Sequence, residues 1–405
     1  MRLLLIFLLA GFEYSYSQPN EKPYVIMVSF DGFRHDYVSR FNLPNFTSFI
    51  NEGASADALI PSFPSKTFPN HYTLVTGLYP GNHGLVDNSF YDKNQNVKFS
   101  MSNRDLVENP VFFGGTPLWQ LTQQHGLPSA SCFWVGSEAP VHGEYPTYYL
   151  KYDESFPNEK RIELTLKWLN LPVMERPRFI SLYFSLVDHE GHNTGPNSLE
   201  LKETLLEADF LLGQLMDGLK KINLPVNVIV VSDHGMTELK QEEKTWLTLG
   251  KLFNTEDKNL VVVNSGTHAH IYTNKVDSLF TVLKKKEENF IVYKKGVFPE
   301  RWHYSHERVG DLLILANPGY QLQMMAPSPD NKSRARPVFG AHGFDPNGLS
   351  DMYGIFYAKG PNIREGKKVG KIENIHVYPF VAKILGLKIP EIDGSISVLV
   401  DLYQK

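Results

Sequence analysis

Three runs along the chain are apolar without polar alternation: Tyr24 to Phe30, Phe179 to Val187, and Val226 to Ser232. Each is rich in Val, Ile or Phe. A strand covered by helices on both faces has this pattern, because neither face needs polar side chains. Between these runs the period changes. From Ser198 to Ile222, the residues Leu201, Leu205, Ala208, Leu212, Leu215 and Leu219 recur at spacings of four and three. That is the single apolar stripe of an amphipathic helix. Glu159 to Leu169 predicts a second helix. Strands alternating with helices predict an α/β fold, doubly wound around a mostly parallel sheet. No internal repeat or long Gly/Ser/Pro linker divides the chain, so a single domain is expected over residues 18–405. The stretch from about Thr237 to Arg336 is more mixed and predicts a small inserted cap. Lys284 to Lys286 reads as a solvated helix end.

The first residues follow a different rule. Met1-Arg2 precedes the apolar run Leu3 to Ala10, and Ser15 and Ser17 are small residues at alternate positions. This is the layout of a secretory signal, with cleavage expected after Ser17. The apolar run is too short to span a bilayer, which needs ~20 apolar residues. Ser397 to Lys405 carries no hydrophobic tail. A soluble, exported protein with no membrane anchor is expected.

Composition changes this picture at two points. The 40 Lys+Arg against 44 Asp+Glu give a formal charge of −4, without the basic surplus of a nucleic-acid binder. The single cysteine, Cys132, excludes an intrachain disulfide and a thiolate metal site. One cysteine in an exported protein fits a bacterial periplasm, or a secreted protein, better than an animal cell-surface ectodomain. Any metal must be held by His, Asp and Glu.

Those residues gather where the apolar runs end. The first run ends in Ser29-Phe30-Asp31-Gly32, the second in Val187-Asp188-His189-Glu190-Gly191-His192, and the third in Ser232-Asp233-His234-Gly235. In open α/β sheets, ligands bind at the carboxyl ends of strands. Taken singly, each Asp also reads as a turn residue or helix cap. Taken together, three acids converging on one crevice would repel each other unless a multivalent cation were present. Asp188 and His192 are spaced to share one side of a helical turn. Gly340-Ala341-His342-Gly343 supplies a further imidazole. Carboxylate plus imidazole suits zinc, and two such clusters suit a two-metal hydrolytic site. Thr67 precedes Pro69 and a helical pattern. This puts its hydroxyl at a helix N-terminus, where phosphate is welcome, although a capping threonine would read the same way.

The runs Val28 to Arg34, Lys66 to Tyr72, Thr76 to Gly84, Asp188 to His192, Ser232 to Met236 and Ala341 to Gly343 closely resemble the nucleotide pyrophosphatase/phosphodiesterase family. That family belongs to the alkaline phosphatase superfamily. The motifs run in the family's order across nearly the whole mature chain. The resemblance implies an alkaline-phosphatase-like fold and two Zn2+ ions. Asp31, Thr67, Asp233 and His234 would hold one ion, with Thr67 as nucleophile. Asp188, His192 and His342 would hold the other. Asn88 matches the amide that donates to a non-bridging phosphate oxygen. A neutral amide suits a diester, which carries one negative charge. A monoesterase would be expected to add a cationic clamp, and only Lys66 lies adjacent to Thr67. The implied reaction passes through a phosphoryl group esterified to Thr67.

By the same similarity, Phe68, Trp134, Tyr152 and Tyr183 fall where aromatic rings sandwich a nucleobase. The expected substrate is a nucleotide or dinucleotide, released as a nucleoside 5'-monophosphate by a monomeric enzyme. Family members acting on lysophospholipid or choline esters share the metal core, so a lipid-type diester is the alternative. A non-catalytic ligand-binding relative is a third reading. It is disfavoured because the nucleophile and every matched ligand are present. His268 and His270 alternate along an expected strand and read as pocket rim or structural residues.

Overall fold

The computed structural model describes residues 23–240, 242–325 and 338–405. The expected signal, residues 1–17, and residues 326–336 of the expected insertion lie outside the described residues.

The strand Tyr24–Phe30 is buried at all seven positions, so both of its faces are covered and no polar alternation is needed. It lies between Val226–Val231 and Phe179–Phe184 and is parallel to both. Ser129–Cys132 and Tyr148–Leu150 extend the parallel set outward. On the other side, Phe356–Lys359 runs antiparallel to Val226–Val231 and to Ala54–Ala56. Lys368–Val369 completes an eight-stranded sheet. The long helix Leu199–Lys220 starts at Ser198, whose hydroxyl accepts the Leu201 N–H. It buries Leu201, Leu205, Ala208, Leu212 and Leu215. No helix among the described residues is long and apolar enough to cross a membrane.

One boundary departs from the sequence pattern. Phe179 to Val187 is not a single strand. The strand stops at Phe184, Ser185 already has helical dihedrals, and Leu186–Thr194 is a helix. A buried strand and a buried helical turn share one apolar signature, so the run conceals the break. Asp188 therefore sits in the first turn of a helix and not at a strand end.

Within the stretch read as a cap, a second sheet of four antiparallel strands forms. Its order is Leu260–Asn264, His268–Thr273, Leu312–Ala316, Phe290–Lys294. Ala269, Ile271, Leu312, Ile314 and Ala316 build a core of their own with Leu283 and Phe290. Leu313 and Leu315, of opposite parity, join the main core. Alternation along the strands thus seats one face of this sheet on the main body. The flanking strands Thr237–Lys240 and Val338–Ala341 pair antiparallel, which returns the chain to the main sheet beside Asp233 and His234.

Candidate active site

Three adjacent parallel strands end at one edge of the main sheet, and each leads into an acid. Asp31 follows the central strand, Asp233 lies just beyond Val231, and Asp188 is on the helix that follows Phe184. The turn after Asp31 depends on Gly32. Its φ is +68°, and a Cβ there would press on the backbone and side chain of Asp188. Only glycine tolerates both the left-handed turn and this close approach.

Thr67 is the first residue of the helix Thr67–Thr76, and Lys66 occupies the capping position. The Thr67 hydroxyl is therefore not spent on capping its own helix. Thr67 Oγ1 lies 3.3 Å from His234 Nε2. Around it, His234 Nε2 is 3.0 Å from Asp233 Oδ2 and 3.6 Å from Asp31 Oδ1. Asp188 Oδ1 is 3.5 Å from His192 Nε2 and 3.6 Å from His342 Nε2.

Backbone carbonyls fix which nitrogen each histidine presents. His192 Nδ1 is 2.8 Å from the Gly340 carbonyl, His342 Nδ1 is 2.8 Å from that of Ser65, and His234 Nδ1 is 2.9 Å from that of Gly235. A carbonyl accepts only, so each Nδ1 carries the proton and each Nε2 turns a lone pair inward. The Nε2 atoms of His192 and His342 are only 3.0 Å apart. Two lone pairs at that distance repel unless a cation or a proton lies between them. The carboxylates carry the same message. Asp31 Oδ1, Asp188 Oδ1 and Asp233 Oδ2 are buried without a hydrogen-bond partner. Orphaned buried carboxylate oxygens are costly, and a bound cation removes the cost. The donor set of carboxylates, imidazoles and one hydroxyl therefore fits zinc.

Electrostatics agree with this geometry at Asp31 and His342; at His234 burial lowers the pKa, but Asp233 and Asp188 outweigh it and raise it, so a cation there would displace a proton. Burial, then Asp233 and Asp188, push the Asp31 carboxyl well above its ordinary range. Burial also pushes Asp233 up, but His234 and His71 outweigh it and hold the carboxyl well below the usual range. Burial, then His234 and Lys66, keep His342 neutral by lowering its pKa well below the ordinary value. A neutral imidazole is the ligand form.

Asn88 is held at both ends. Its backbone N–H donates to Asp87 Oδ1 at 2.7 Å, and its Oδ1 accepts the Phe68 N–H at 2.8 Å. The donor at Phe68 identifies the amide oxygen as the atom facing it and leaves Nδ2 as the remaining donor.

The aromatic residues divide. Phe68 and Tyr152 are half-buried. Trp134 is not available to a base: it is 1% exposed, its indole N–H donates to the His71 carbonyl at 3.0 Å, and its ring meets His71 edge-on. Tyr183 is also buried, and its hydroxyl donates to Asp31 Oδ2 at 2.6 Å. It supports a carboxylate. His71 is a further support that the sequence reading did not single out. Its Nδ1 bonds the Thr67 carbonyl at 3.0 Å, and its Nε2 lies 2.8 Å from Ser29 Oγ. Its position four residues after Thr67, one turn along the same helix, was the available signal. Cys132 is buried in the sheet, and burial pushes its thiol up to about 12.

The family model described as type I phosphodiesterase / nucleotide pyrophosphatase matches residues 25–345. The chain is 36% identical over 399 residues to venom phosphodiesterase CdcPDE of Crotalus durissus collilineatus, covering 95% of this chain and 46% of that protein. It is 35% identical over 382 residues to human ectonucleotide pyrophosphatase/phosphodiesterase family member 1, covering 91% of this chain and 40% of that protein. The chain thus spans a little under half the length of the curated relatives it matches. The structure of murine ectonucleotide pyrophosphatase/phosphodiesterase 5 superposes with a TM-score of 0.86 at 32% identity, covering 94% of this chain and all of that one. An inactive threonine-to-alanine variant of the same murine protein, in complex with AMP, matches equally well.

Proposed function

The chain belongs to the type I phosphodiesterase / nucleotide pyrophosphatase family, and on that premise we propose that it hydrolyses nucleotide phosphodiester and phosphoanhydride bonds with two zinc ions and Thr67 as nucleophile. Nucleoside 5'-monophosphate is the product. One observation carries the reading. Three orphaned carboxylate oxygens and three inward Nε2 lone pairs form one cluster, and its His234 Nε2 meets a hydroxyl that its own helix does not use.

Asp31, Thr67, Asp233 and His234 would hold one ion, and Asp188, His192 and His342 the other. Zinc so held supplies Lewis acidity that makes a hydroxyl nucleophilic at neutral pH and neutralises phosphoryl charge. Thr67 Oγ1 forms its bond to phosphorus as the bond to the leaving oxygen breaks, and water then displaces the phosphoryl group from Thr67. The Thr67 side chain lies at a helix N-terminus, where the backbone dipole also favours phosphate. Asn88 Nδ2 donates to a non-bridging oxygen, and as a neutral group it matches the single charge of a diester. Phe68 and Tyr152 are the rings left to contact a base. The AMP complex of the murine relative supports a nucleotide ligand. The venom and ecto-enzyme relatives support action outside the cytoplasm, as an N-terminal signal would require.

Replacing Thr67 with Ala tests the assignment. Hydrolysis of a nucleotide diester should fall by roughly 10⁴-fold while two zinc ions per chain remain bound. Activity surviving the change would remove Thr67 as nucleophile. The same assay should include a lysophospholipid and a phosphate monoester. Faster turnover of the lipid would reassign the substrate class.

A further inference from the structure

Outside the proposed zinc set, one other carboxylate among the described residues meets two imidazoles. Asp87 is fully buried, and its Oδ2 lies 2.9 Å from His268 Nε2 and 3.4 Å from His270 Nε2. Both histidines are fully buried on the strand His268–Thr273 of the four-stranded sheet. They point at Asp87 because Ala269 and Ile271, of opposite parity, face that sheet's own core. Ligand type and spacing alone make this trio look like a third metal site.

The hydrogen bonds argue against a metal. His270 Nδ1 faces the Gly310 N–H at 3.2 Å. An N–H only donates, so Nδ1 must accept and the ring proton must sit on Nε2. That proton points at Asp87 and at Tyr304 Oη, 3.4 Å away. Tyr304 donates its own proton to the Val86 carbonyl at 2.7 Å, which leaves its oxygen free to accept. A protonated nitrogen has no lone pair for an ion. This is the reverse of His192, His234 and His342, whose Nδ1 atoms all face carbonyls. Asp87 is also satisfied, unlike the orphaned acids of the zinc set. Its Oδ1 accepts the Asn88 N–H, and its Oδ2 accepts from Ser265 Oγ and His268. Burial alone would push its carboxyl up, but His268 and His270 outweigh that and hold it ionised.

We propose that Asp87, His268 and His270 form a metal-free positioning network that holds Asn88 in place for the phosphoryl group. The inserted sheet is then a working part of the phosphate site. Asp87 grips the Asn88 backbone from one side, while the Phe68 N–H grips its side chain from the helix that carries Thr67. The neighbouring Thr267 hydroxyl lies 3.2 Å from His268 Nδ1 and 3.3 Å from the His342 carbonyl, with one proton for the two acceptors. Two consecutive residues of the insert thus reach the Asn88 loop and the His342 loop. The inference rests on the reading of Asn88 as a phosphate donor.

A double-mutant cycle on a chromogenic nitrophenyl ester of thymidine monophosphate tests it, with zinc content measured on every variant. Asp87→Asn should lower kcat/KM by about 10-fold or more, mainly through kcat, with two zinc ions retained. In an Asn88→Ala background the same change should cost less than about twofold, because its effect runs through Asn88. Equal losses in both backgrounds would mean a merely structural role and would overturn the inference. If Asp87→Asn does not fold, His268→Gln carries the same cycle. A third zinc equivalent in the wild type that His268→Gln removes would also overturn it. An active wild type with an additive cycle refutes the network alone. A wild type inert toward the ester refutes the functional reading and the network together.

Discussion

Tyr183 separates two accounts of the site, and removing its hydroxyl decides between them. The sequence groups it with rings that sandwich a base. The structure gives it a 2.6 Å hydrogen bond to Asp31 Oδ2, while Asp31 Oδ1 has no partner. Tyr183→Phe deletes that bond and little else, because the ring keeps its edge-on contact with His71 at 5.1 Å. A hydrogen bond to a buried charged group contributes about 1.5–3 kcal/mol. At 1.4 kcal/mol per factor of ten, ~2 kcal/mol corresponds to roughly 30-fold weaker zinc at that position. The effect has a pH signature. The Tyr183 bond lowers the Asp31 pKa against burial and two neighbouring acids. Losing it raises Asp31 further, so protons compete with the metal up to higher pH. The zinc deficit of the variant should therefore be larger at mildly acidic pH than at alkaline pH. Competition with a zinc-binding indicator measures affinity, and steady-state kinetics on a nucleotide diester give KM. Zinc affinity within about twofold of wild type, with the loss confined to KM, would refute the support role and restore Tyr183 to the base slot.

Two further outcomes follow from buried charges. Metal removal by chelation should abolish activity and lower the Tm, with zinc restoring both. Because the Asp31 pKa is raised, its ionisation penalty is absent below the ordinary carboxylate pKa and grows as pH rises. The Tm gain on adding zinc should accordingly increase with pH, and a pH-independent gain would contradict the orphaned-carboxylate argument. His83 is buried, accepts the Leu85 N–H at its Nδ1, and is lowered to about 3 by burial. Its contribution is fully present well above the unfolded value near 6.5 and is lost as pH falls toward 3, roughly 2 kcal/mol between pH 6.5 and 4.5. Urea midpoints should show His83→Gln losing less stability than wild type over that interval, and parallel losses would refute it.

The parts of the site legible in the sequence are those fixed by covalent neighbours. Asp31 and Asp233 follow apolar strands by one or two residues, and Thr67 stands just before a helical pattern, so local order alone locates them. Asp188 is less directly legible, since the chain turns helical at Ser185 where an apolar run hides the change. What was not legible depends on partners distant along the chain. Trp134 and Phe68 are both aromatic. Only the His71 carbonyl, 63 residues from Trp134, shows that the indole is locked in the core. The alternation of His268 and His270 was visible, but Asp87 lies 181 residues from His268.

The two clusters of imidazole and carboxylate show why composition reaches a limit here. Each offers buried nitrogens near a buried acid, and a count of ligand types cannot tell them apart. The difference lies in the backbone behind each ring. A carbonyl behind Nδ1 turns a lone pair forward, and where orphaned carboxylates face it the pair would suit a cation, as at His192, His234 and His342. An amide behind Nδ1 turns a proton forward and makes a hydrogen-bond donor, as at His270. Those backbone groups are set by strand pairing: Gly340 reaches His192 because Val338–Ala341 pairs with Thr237–Lys240. The topology, and not the residue type, thus decides which histidines turn a lone pair forward and which point an N–H at Asp87. If that is right, the Asp87 trio should stay metal-free at zinc concentrations that fill the other two positions.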